Sequence, residues 1–260
     1  MFMQKMSNLS HNFKKNIGTT ATILRDYDRA RFLCTQFLPR EKRVAITALY
    51  ALDAELNRLC TGNSELVIGH MRLKWWHSAV TDLFAGKIPH HPVAKSLAIA
   101  VSQGLEQSEI HKVIEFLADT YHARAKLCSF EDIEVYARNR QAPIYIQALN
   151  LLDERTHDRE KAAGSAGLVT EIMAAFRTGR VVDDSIRLAH DTACNHVDQI
   201  ISKYISRKCL CLSFLPLVLA DIYLKRVLRA EFDLKHVLVK RDDPGVTAIP
   251  KLWWATRHSQ

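Results

Sequence analysis

The chain has 260 residues, a formal net charge of +8, 48% hydrophobic residues and 25% charged residues. These fractions are those of an ordinary globular protein, so they exclude a disordered or collagen-like chain. Only 9 glycines and 7 prolines are present, which is too little turn chemistry for a multi-stranded β protein. The composition therefore predicts an all-α protein, and a helical chain of this length can form a single domain.

The excess of basic residues fits three classes of anionic partner: nucleic acid, a membrane surface and phosphorylated ligands. We expect no nucleic-acid binding, because the chain has no RNP motif, zinc finger or helix-turn-helix pattern. Its six cysteines are dispersed, which is typical of reduced thiols in an intracellular protein. The longest uncharged apolar run, 209–220, is shorter than the ~20 residues that span a bilayer. We expect a protein that is soluble or peripheral on an inner membrane, in a bacterial cytoplasm or on the matrix side of mitochondria.

Residues 25–235 are predicted to form one domain of successive amphipathic helices. The predicted helices cover 43–61, 66–86, 93–104, 109–128, 131–151, 162–176, 184–208 and 213–229. We expect a kink at Pro143, because proline removes a backbone donor and clashes with the preceding turn. Residues 1–24, which are basic and polar, are predicted to form a flexible leader, and residues 236–260 a C-terminal tail.

The predicted helix 43–61 has an apolar stripe and a polar stripe side by side. The apolar stripe recurs at three- and four-residue spacing and consists of Ala45, Leu49, Leu52, Leu56 and Leu59. The polar stripe consists of Tyr50, Asp53, Asn57 and Thr61. This combination is typical of a helix that lines a pocket.

Several segments, in the same order along the chain, resemble the squalene/phytoene synthase family. They are the stretch 26–39 with its terminal Pro39, the basic residues Arg40 to Arg43 before Ala-Leu-Tyr-Ala at 48–51, Met-Arg-Leu-Lys-Trp-Trp-His at 71–77, His-Pro-Val-Ala at 91–94, Tyr136-Ala137, Ala-Gly-Leu-Val-Thr at 166–170 and Leu215-Pro216. The resemblance covers about 25–235. It implies an isoprenoid synthase-like helical bundle around a central cavity.

The resemblance also implies where the chemistry of the family would lie. Its enzymes hold Mg²⁺ between two Asp-xxx-Asp motifs, because Mg²⁺ prefers oxygen ligands and bridges a diphosphate. Here the acids of the first motif fall on Asn57 and Thr61, and those of the second fall on Ala174 and Thr178. The remaining carboxylates, Asp53 and Glu171, are the weak metal candidates. Family position adds three pocket-lining candidates: Arg43, Tyr50 and Tyr136.

These two motifs, in which the acids are replaced, resemble those of the branch of the family that acts in assembly of the respiratory NADH dehydrogenase, complex I. This implies a catalytically degenerate protein without a cofactor, whose partners are membrane-protein subunits or an anionic membrane surface. An isoprenoid diphosphate or a lipid-like molecule is its possible ligand. The basic residues Lys225, Arg226 and Arg229, and those of the stretch 235–241, suit such a surface.

Two alternatives stay open from the sequence. The chain can be an active Mg²⁺-dependent head-to-head prenyltransferase that condenses two isoprenyl diphosphates in isoprenoid biosynthesis. It can also be an interaction module that has lost its pocket. The missing carboxylates argue against the enzyme.

Overall fold

The computed structural model describes residues 16–61, 66–121, 129–181, 183–206, 209–240 and 244–257. Helices α1 to α6 cover 16–27, Arg29–Thr35, Arg40–Thr61, Leu66–Phe84, Pro92–Ser102 and Gln107–Asp119. Helices α7 (Phe130–Tyr136) and α8 (Ala142–Leu151) are joined by a π-helical segment, Ala137–Gln141. They are followed by α9 (His157–Thr178), α10 (Asp183–Tyr204), β1 (Ile205–Ser206), β2 (Cys209–Leu210), a 3₁₀ turn (Leu212–Phe214), α11 (Leu215–Arg229), α12 (Val237–Lys240) and α13 (Ala248–Arg257).

The predicted all-α class is confirmed, and the bundle is built around two long helices, α3 and α9. Helix α3 packs against α5 and α8, while α9 packs against α8, α10 and the π segment. The predicted apolar stripe of α3 is buried in the core, where Leu49, Leu52 and Leu56 are fully covered. In the described part of the chain, no helix has the length and apolar character needed to cross a membrane.

Several predicted helix boundaries are wrong. The helix predicted for 109–128 ends at Asp119, and local backbone and side-chain contacts explain two further differences. Helix α9 begins at His157 rather than 162, because the Thr156 side chain caps its first turn by accepting from the Arg159 N–H. Helix α10 ends at Tyr204, and the chain then forms a two-residue antiparallel ladder in which Ile205 pairs with Leu210. The apolar spacing predicts a helix that extends to residue 208.

Part of each predicted terminal segment is helical in the described residues. Residues 16–24, which the sequence placed in a flexible leader, belong to α1. The hydroxyl of Thr20 hydrogen-bonds to that of Ser96 at 2.9 Å, and Leu24 is fully buried. In the predicted tail, α13 packs on α11 through Leu252 and Ala255. Residues 1–15 and 122–128, the latter in a predicted helix, lie outside the described residues.

The expected kink near Pro143 takes the form of the π segment. Pro143 stands in the first turn of α8, and the N–H of Ala142 donates to the carbonyl of Ala137, five residues earlier. Helix α9 approaches this segment very closely at Gly167. A Cβ at Gly167 would lie 2.8 Å from the backbone nitrogen of Ala142, so only glycine fits without a backbone shift.

Candidate functional site

The interior of the bundle contains a cluster of four charged side chains, Arg31, Asp53, Arg140 and Glu171, which we call the charge cluster. Arg31 donates from Nη1 to Asp53 Oδ2 at 2.6 Å, and Arg140 donates from Nη2 to Asp53 Oδ1 at 2.9 Å. Arg140 also donates from Nη1 to Glu171 Oε2 at 3.0 Å. At most 5% of each side chain is exposed. Two cations and two anions therefore neutralise each other away from water.

Each member of the charge cluster comes from a different element. Arg31 lies on α2, whose first turn is capped by Asp28 through a 2.9 Å bond from the Arg31 N–H. Asp53 lies on α3 and Glu171 on α9. The π segment supplies Arg140 and its neighbour Gln141, whose Oε1 accepts from Arg31 Nη2 at 2.7 Å. The charge cluster thus ties four elements together at one point.

The electrostatic environment keeps both guanidinium groups charged. Burial by itself would lower the pKa of Arg31, but attraction to Asp53 and Asp28 raises it above its ordinary value. The pKa of Arg140 is raised in the same way, against its burial, by Asp53 and Glu171. Because both cations persist at any working pH, the carboxylates always face a permanent positive partner.

Two tyrosines enclose the Arg31 side of the charge cluster. The Arg31 guanidinium lies 4.9 Å from the ring centroid of Tyr50 and 5.9 Å from that of Tyr145. The Tyr145 hydroxyl hydrogen-bonds to that of Thr170 at 2.9 Å. Burial raises the pKa of both phenols, so they stay neutral and stabilise the cation through their ring faces.

The residues present do not fit the Mg²⁺ cluster that the family resemblance implies. Each oxygen of Asp53 already accepts from a guanidinium, and Arg140 also holds Glu171. A divalent ion at these carboxylates would meet two fixed cations at contact distance, which Coulomb repulsion disfavours. Among the described residues, no group of three or more His, Cys, Asp or Glu side chains is arranged to hold a metal.

The structure brings only some of the sequence candidates together. Tyr50, Asp53 and Glu171 meet around the two arginines. Asn57 and Ala174 are half-buried one turn away along α3 and α9. The side chain of Thr61 lies outside the described residues.

The other candidates have structural roles away from the charge cluster. Arg43 donates from Nη2 to the carbonyls of Gln36 and Leu38, at 3.1 and 3.0 Å, and so fixes the link between α2 and α3. The Tyr136 hydroxyl donates to the carbonyl of Thr120 at 3.3 Å. Thr178 is exposed and donates to the carbonyl of Ala174, within its own helix.

A narrow cleft with a cavity volume of about 40 Å³ borders the charge cluster between α2, α9 and α11. Its walls combine basic and apolar side chains: Arg31, Arg177, Arg226, Met173, Leu219, Ile222 and Tyr223. Arg177 lies 4.9 Å from the ring centroid of Tyr223, and Arg226 donates to the carbonyl of Pro244 at 2.7 Å. The arginines of the cleft are therefore engaged with the protein itself.

The sequence reasoning missed Arg31, Arg140 and Gln141. A signal existed for Arg31, because it follows Asp28 by three residues at the start of a helix, inside the segment with the strongest family resemblance. Arg140 had a weaker signal, since it stands three residues before Pro143 in a segment expected to bend. Neither signal shows that the two arginines reach one carboxylate from elements distant in the sequence.

Comparisons with known proteins agree with this architecture. The family model described as squalene/phytoene synthase matches residues 24–178, more than half of the chain, and the chain belongs to that family. The Bos taurus protein named NADH dehydrogenase (ubiquinone) complex I, assembly factor 6 is 26% identical over 256 residues, covering 84% of this chain and 76% of its own length. The Homo sapiens protein of that name is 30% identical over 156 residues, covering 60% and 46%.

The fold extends beyond the region that the family model matches. The crystal structure of a dehydrosqualene synthase superposes with a TM-score of 0.72 at 15% identity, and the match covers 95% of this chain and 97% of the other. At this identity the likeness shows the fold alone. The sequence-based assignment to the squalene/phytoene synthase family and to its helical fold is confirmed.

Proposed function

We propose that the chain is a catalytically degenerate member of the squalene/phytoene synthase family that acts in assembly of the respiratory NADH dehydrogenase, complex I. Its partners are then subunits of that complex, met at the surface of the membrane in which they are embedded. The proposal takes its partner from the relatives named assembly factor 6, which match over most of the chain.

The charge cluster is the observation that supports the proposed loss of catalysis. Ionisation of an isoprenyl diphosphate needs divalent cations to take up the charge of the leaving group. In this chain the carboxylates nearest the expected metal positions are occupied by Arg31 and Arg140. The two guanidinium groups act as internal counterions for these carboxylates. This supports a structural role for the carboxylates, and we infer that the protein does not need Mg²⁺.

A genetic experiment tests the assembly role. The gene is deleted in its own organism, and membrane complexes are separated on native gels stained for NADH dehydrogenase activity. We expect the assembled NADH dehydrogenase to fall several-fold while succinate dehydrogenase, the control in the same membranes, is unchanged. Normal levels of assembled NADH dehydrogenase in the deletion strain would contradict the proposal.

An enzymatic experiment tests the loss of catalysis separately. The purified protein is incubated with labelled farnesyl or geranylgeranyl diphosphate, with Mg²⁺ or with EDTA, and released diphosphate is measured. We expect no release above the rate without protein under either condition. Release that depends on Mg²⁺ would establish the prenyltransferase alternative, whatever the result of the deletion.

A further inference from the structure

Helix α13 has apolar residues on both of its faces. Ala248, Leu252 and Ala255 follow one another at four- and three-residue spacing and are buried against the bundle. The opposite face carries Ile249, Trp253 and Trp254, which are 55%, 47% and 57% exposed. A surface helix normally turns polar residues outward. We therefore expect another molecule to cover this apolar outward face.

The charges around this face are mainly basic. Residues 244–257 contain Lys251 and Arg257 and no acidic residue. The Arg257 guanidinium lies 4.9 Å from the ring centroid of Trp253, at one end of the exposed face. The face therefore combines large aromatic side chains with cations.

Helix α11 adds further basic residues beside α13. Asp221, Lys225 and Arg229 recur every four residues and so share one side of α11. Asp221 pairs with both Lys225 and Lys251, at 2.8 and 2.7 Å, which binds α13 to that side. Two acids of α10, Asp191 and Asp198, lie close enough to act on the same Cys194 thiol as Asp221 and Lys225. Against these three acids, the four basic side chains Lys225, Arg229, Lys251 and Arg257 leave a surplus of one positive charge.

An apolar groove runs beside Trp254, between α10, α11 and α13. Its volume is about 350 Å³. It is lined by six mainly apolar residues, Ile201, Ile205, Val218, Pro250, Trp254 and Ala255, and by the ion pair of Asp221 and Lys251. Neither Asp191 nor Asp198 lines the groove. The apolar surface thus continues from the outward face of α13 into the protein.

We infer that α13 is a membrane-docking helix whose outward face enters the interfacial region of an anionic bilayer. Tryptophan prefers the depth of the lipid headgroups, where its ring is apolar and its N–H meets water. The flanking arginines and lysines meet lipid phosphates, and the groove beside Trp254 admits acyl-chain segments. An interfacial helix with basic and aromatic residues binds in this manner without crossing the membrane. This inference concerns one surface and stands independently of the assembly role.

The charge distribution favours a bilayer over a second copy of this chain as the occupant. Two copies that docked through α13 would bring two surfaces with the same positive surplus together, and like charges disfavour such a contact. An anionic bilayer meets both the apolar and the basic part of the surface. A second copy of this chain remains an outcome that the experiment detects.

The experiment is co-sedimentation of the full chain with phosphatidylcholine vesicles, with and without phosphatidylglycerol. We expect binding to the anionic vesicles that weakens as salt is added. The double variant W253S/W254S should lose roughly tenfold or more in partitioning, because it removes most of the inserted apolar area. Arg257→Gln should lose about fivefold.

The matched control is Trp75→Ser on α4, a tryptophan of similar exposure at 43%. We expect it to bind vesicles like the unmodified chain. Circular dichroism of each variant checks that the fold is retained. A second readout uses the variant W75F/W76F, in which Trp253 and Trp254 are the only tryptophans; their emission should shift to the blue on anionic vesicles.

Three results would overturn the inference. One is equal vesicle binding by W253S/W254S and the unmodified chain, and another is equal binding to neutral and anionic vesicles. The third is a dimer in light scattering that disappears in W253S/W254S, which would identify a second copy as the occupant. None of these results bears on the assembly of NADH dehydrogenase, so either proposal can be refuted without refuting the other.

Discussion

Arg31 and Arg140 hold the same carboxylate, one guanidinium on each oxygen of Asp53. They are separated by 109 positions in the chain, and the bonds to Asp53 measure 2.6 and 2.9 Å. A buried pair of this kind contributes little net stability while intact, since desolvation offsets the attraction. Its loss is costly, because a removed partner leaves buried charge without compensation.

The substitution Asp53→Asn should therefore destabilise the protein strongly. It leaves Arg31 and Arg140 with a neutral neighbour, so that only Glu171 and the partly exposed Asp28, 3.6 Å from Arg31, then balance the two cations. We expect the free energy of unfolding to fall by about 3 kcal/mol or more. Urea unfolding followed by circular dichroism measures the change.

The matched control for this prediction is Asp153→Asn. Asp153 pairs with Lys42 at 2.6 Å but is 76% exposed, and its φ of 57° is one that asparagine tolerates. We expect a change within about 1 kcal/mol. Equal effects of the two substitutions would show that the charge cluster has no special structural role.

The close approach at Gly167 gives a second prediction. Gly167→Ala places a methyl group 2.8 Å from the Ala142 nitrogen, and backbone on both sides must shift. Gly167 stands one turn before Glu171, so the shift also strains the bond from Arg140. We expect a loss of about 2 kcal/mol or more in the free energy of unfolding.

Gly164→Ala, on the same helix, is the control for the Gly167 substitution. Nothing lies within 4 Å of a Cβ at Gly164. Alanine there should stabilise the protein by about 0.5–1 kcal/mol, because it reduces the conformational entropy of the unfolded chain. If both substitutions shift the thermal midpoint in the same direction, the inferred contact between α9 and the π segment is wrong.

A third prediction concerns pH. His77 and His111 stack with their ring centroids 3.9 Å apart. Burial, and then repulsion from His77, lower the pKa of His111 from 6.5, outweighing a bond to the His77 carbonyl and attraction to Glu115. The unfolded chain therefore binds this proton more readily than the native protein. Stability should fall as the pH drops from about 6.5 toward the folded-state pKa.

The substitution His111→Gln should flatten this acid dependence, measured as urea midpoints between neutral and mildly acidic pH. The control is His157→Gln, at an exposed position in the first turn of α9. It should leave the slope with pH unchanged. A slope that is as steep in His111→Gln as in the unmodified chain would rule out His111 as the group responsible.

The fourth prediction concerns Mg²⁺. A ligand that binds the native state raises the thermal midpoint by mass action. Since both carboxylates of the charge cluster are occupied by arginines, we expect neither Mg²⁺ nor EDTA to move the midpoint measurably. A rise that requires Mg²⁺ and farnesyl diphosphate together would indicate a working metal site and contradict the proposed loss of catalysis.

Much of the fold was predictable because the apolar spacing is regular. The stripe that contains Leu49 and Leu56 predicts both a helix and its buried face, and the structure confirms both. The predicted helix boundaries were less accurate where a single side chain determines them, as the side chain of Thr156 does at the start of α9. The sequence did not predict helix α1, because its buried residue Thr20 looks like a polar surface residue in the sequence.

The candidate site was only partly predictable, for a physical reason. The sequence indicates that Asp53 and Glu171 are the carboxylates nearest the expected metal positions. It does not indicate their counterions, because Arg31 and Arg140 reach them from other elements. Arginines on solvated faces are common, so nothing in the residue type marks these two as buried.

The direction of the Arg140 side chain depends on the one extra residue that the π turn holds. Deleting one residue between Ala137 and Gln141 would let α7 and α8 run on as a regular α-helix. Because a wide turn and an α turn both complete about one revolution, the helices on either side would keep their phase, while the residues inside the segment would turn by up to about 100°. Arg140 would then leave Asp53. Insertions and deletions here should therefore be tolerated far less than the same changes in the links between helices.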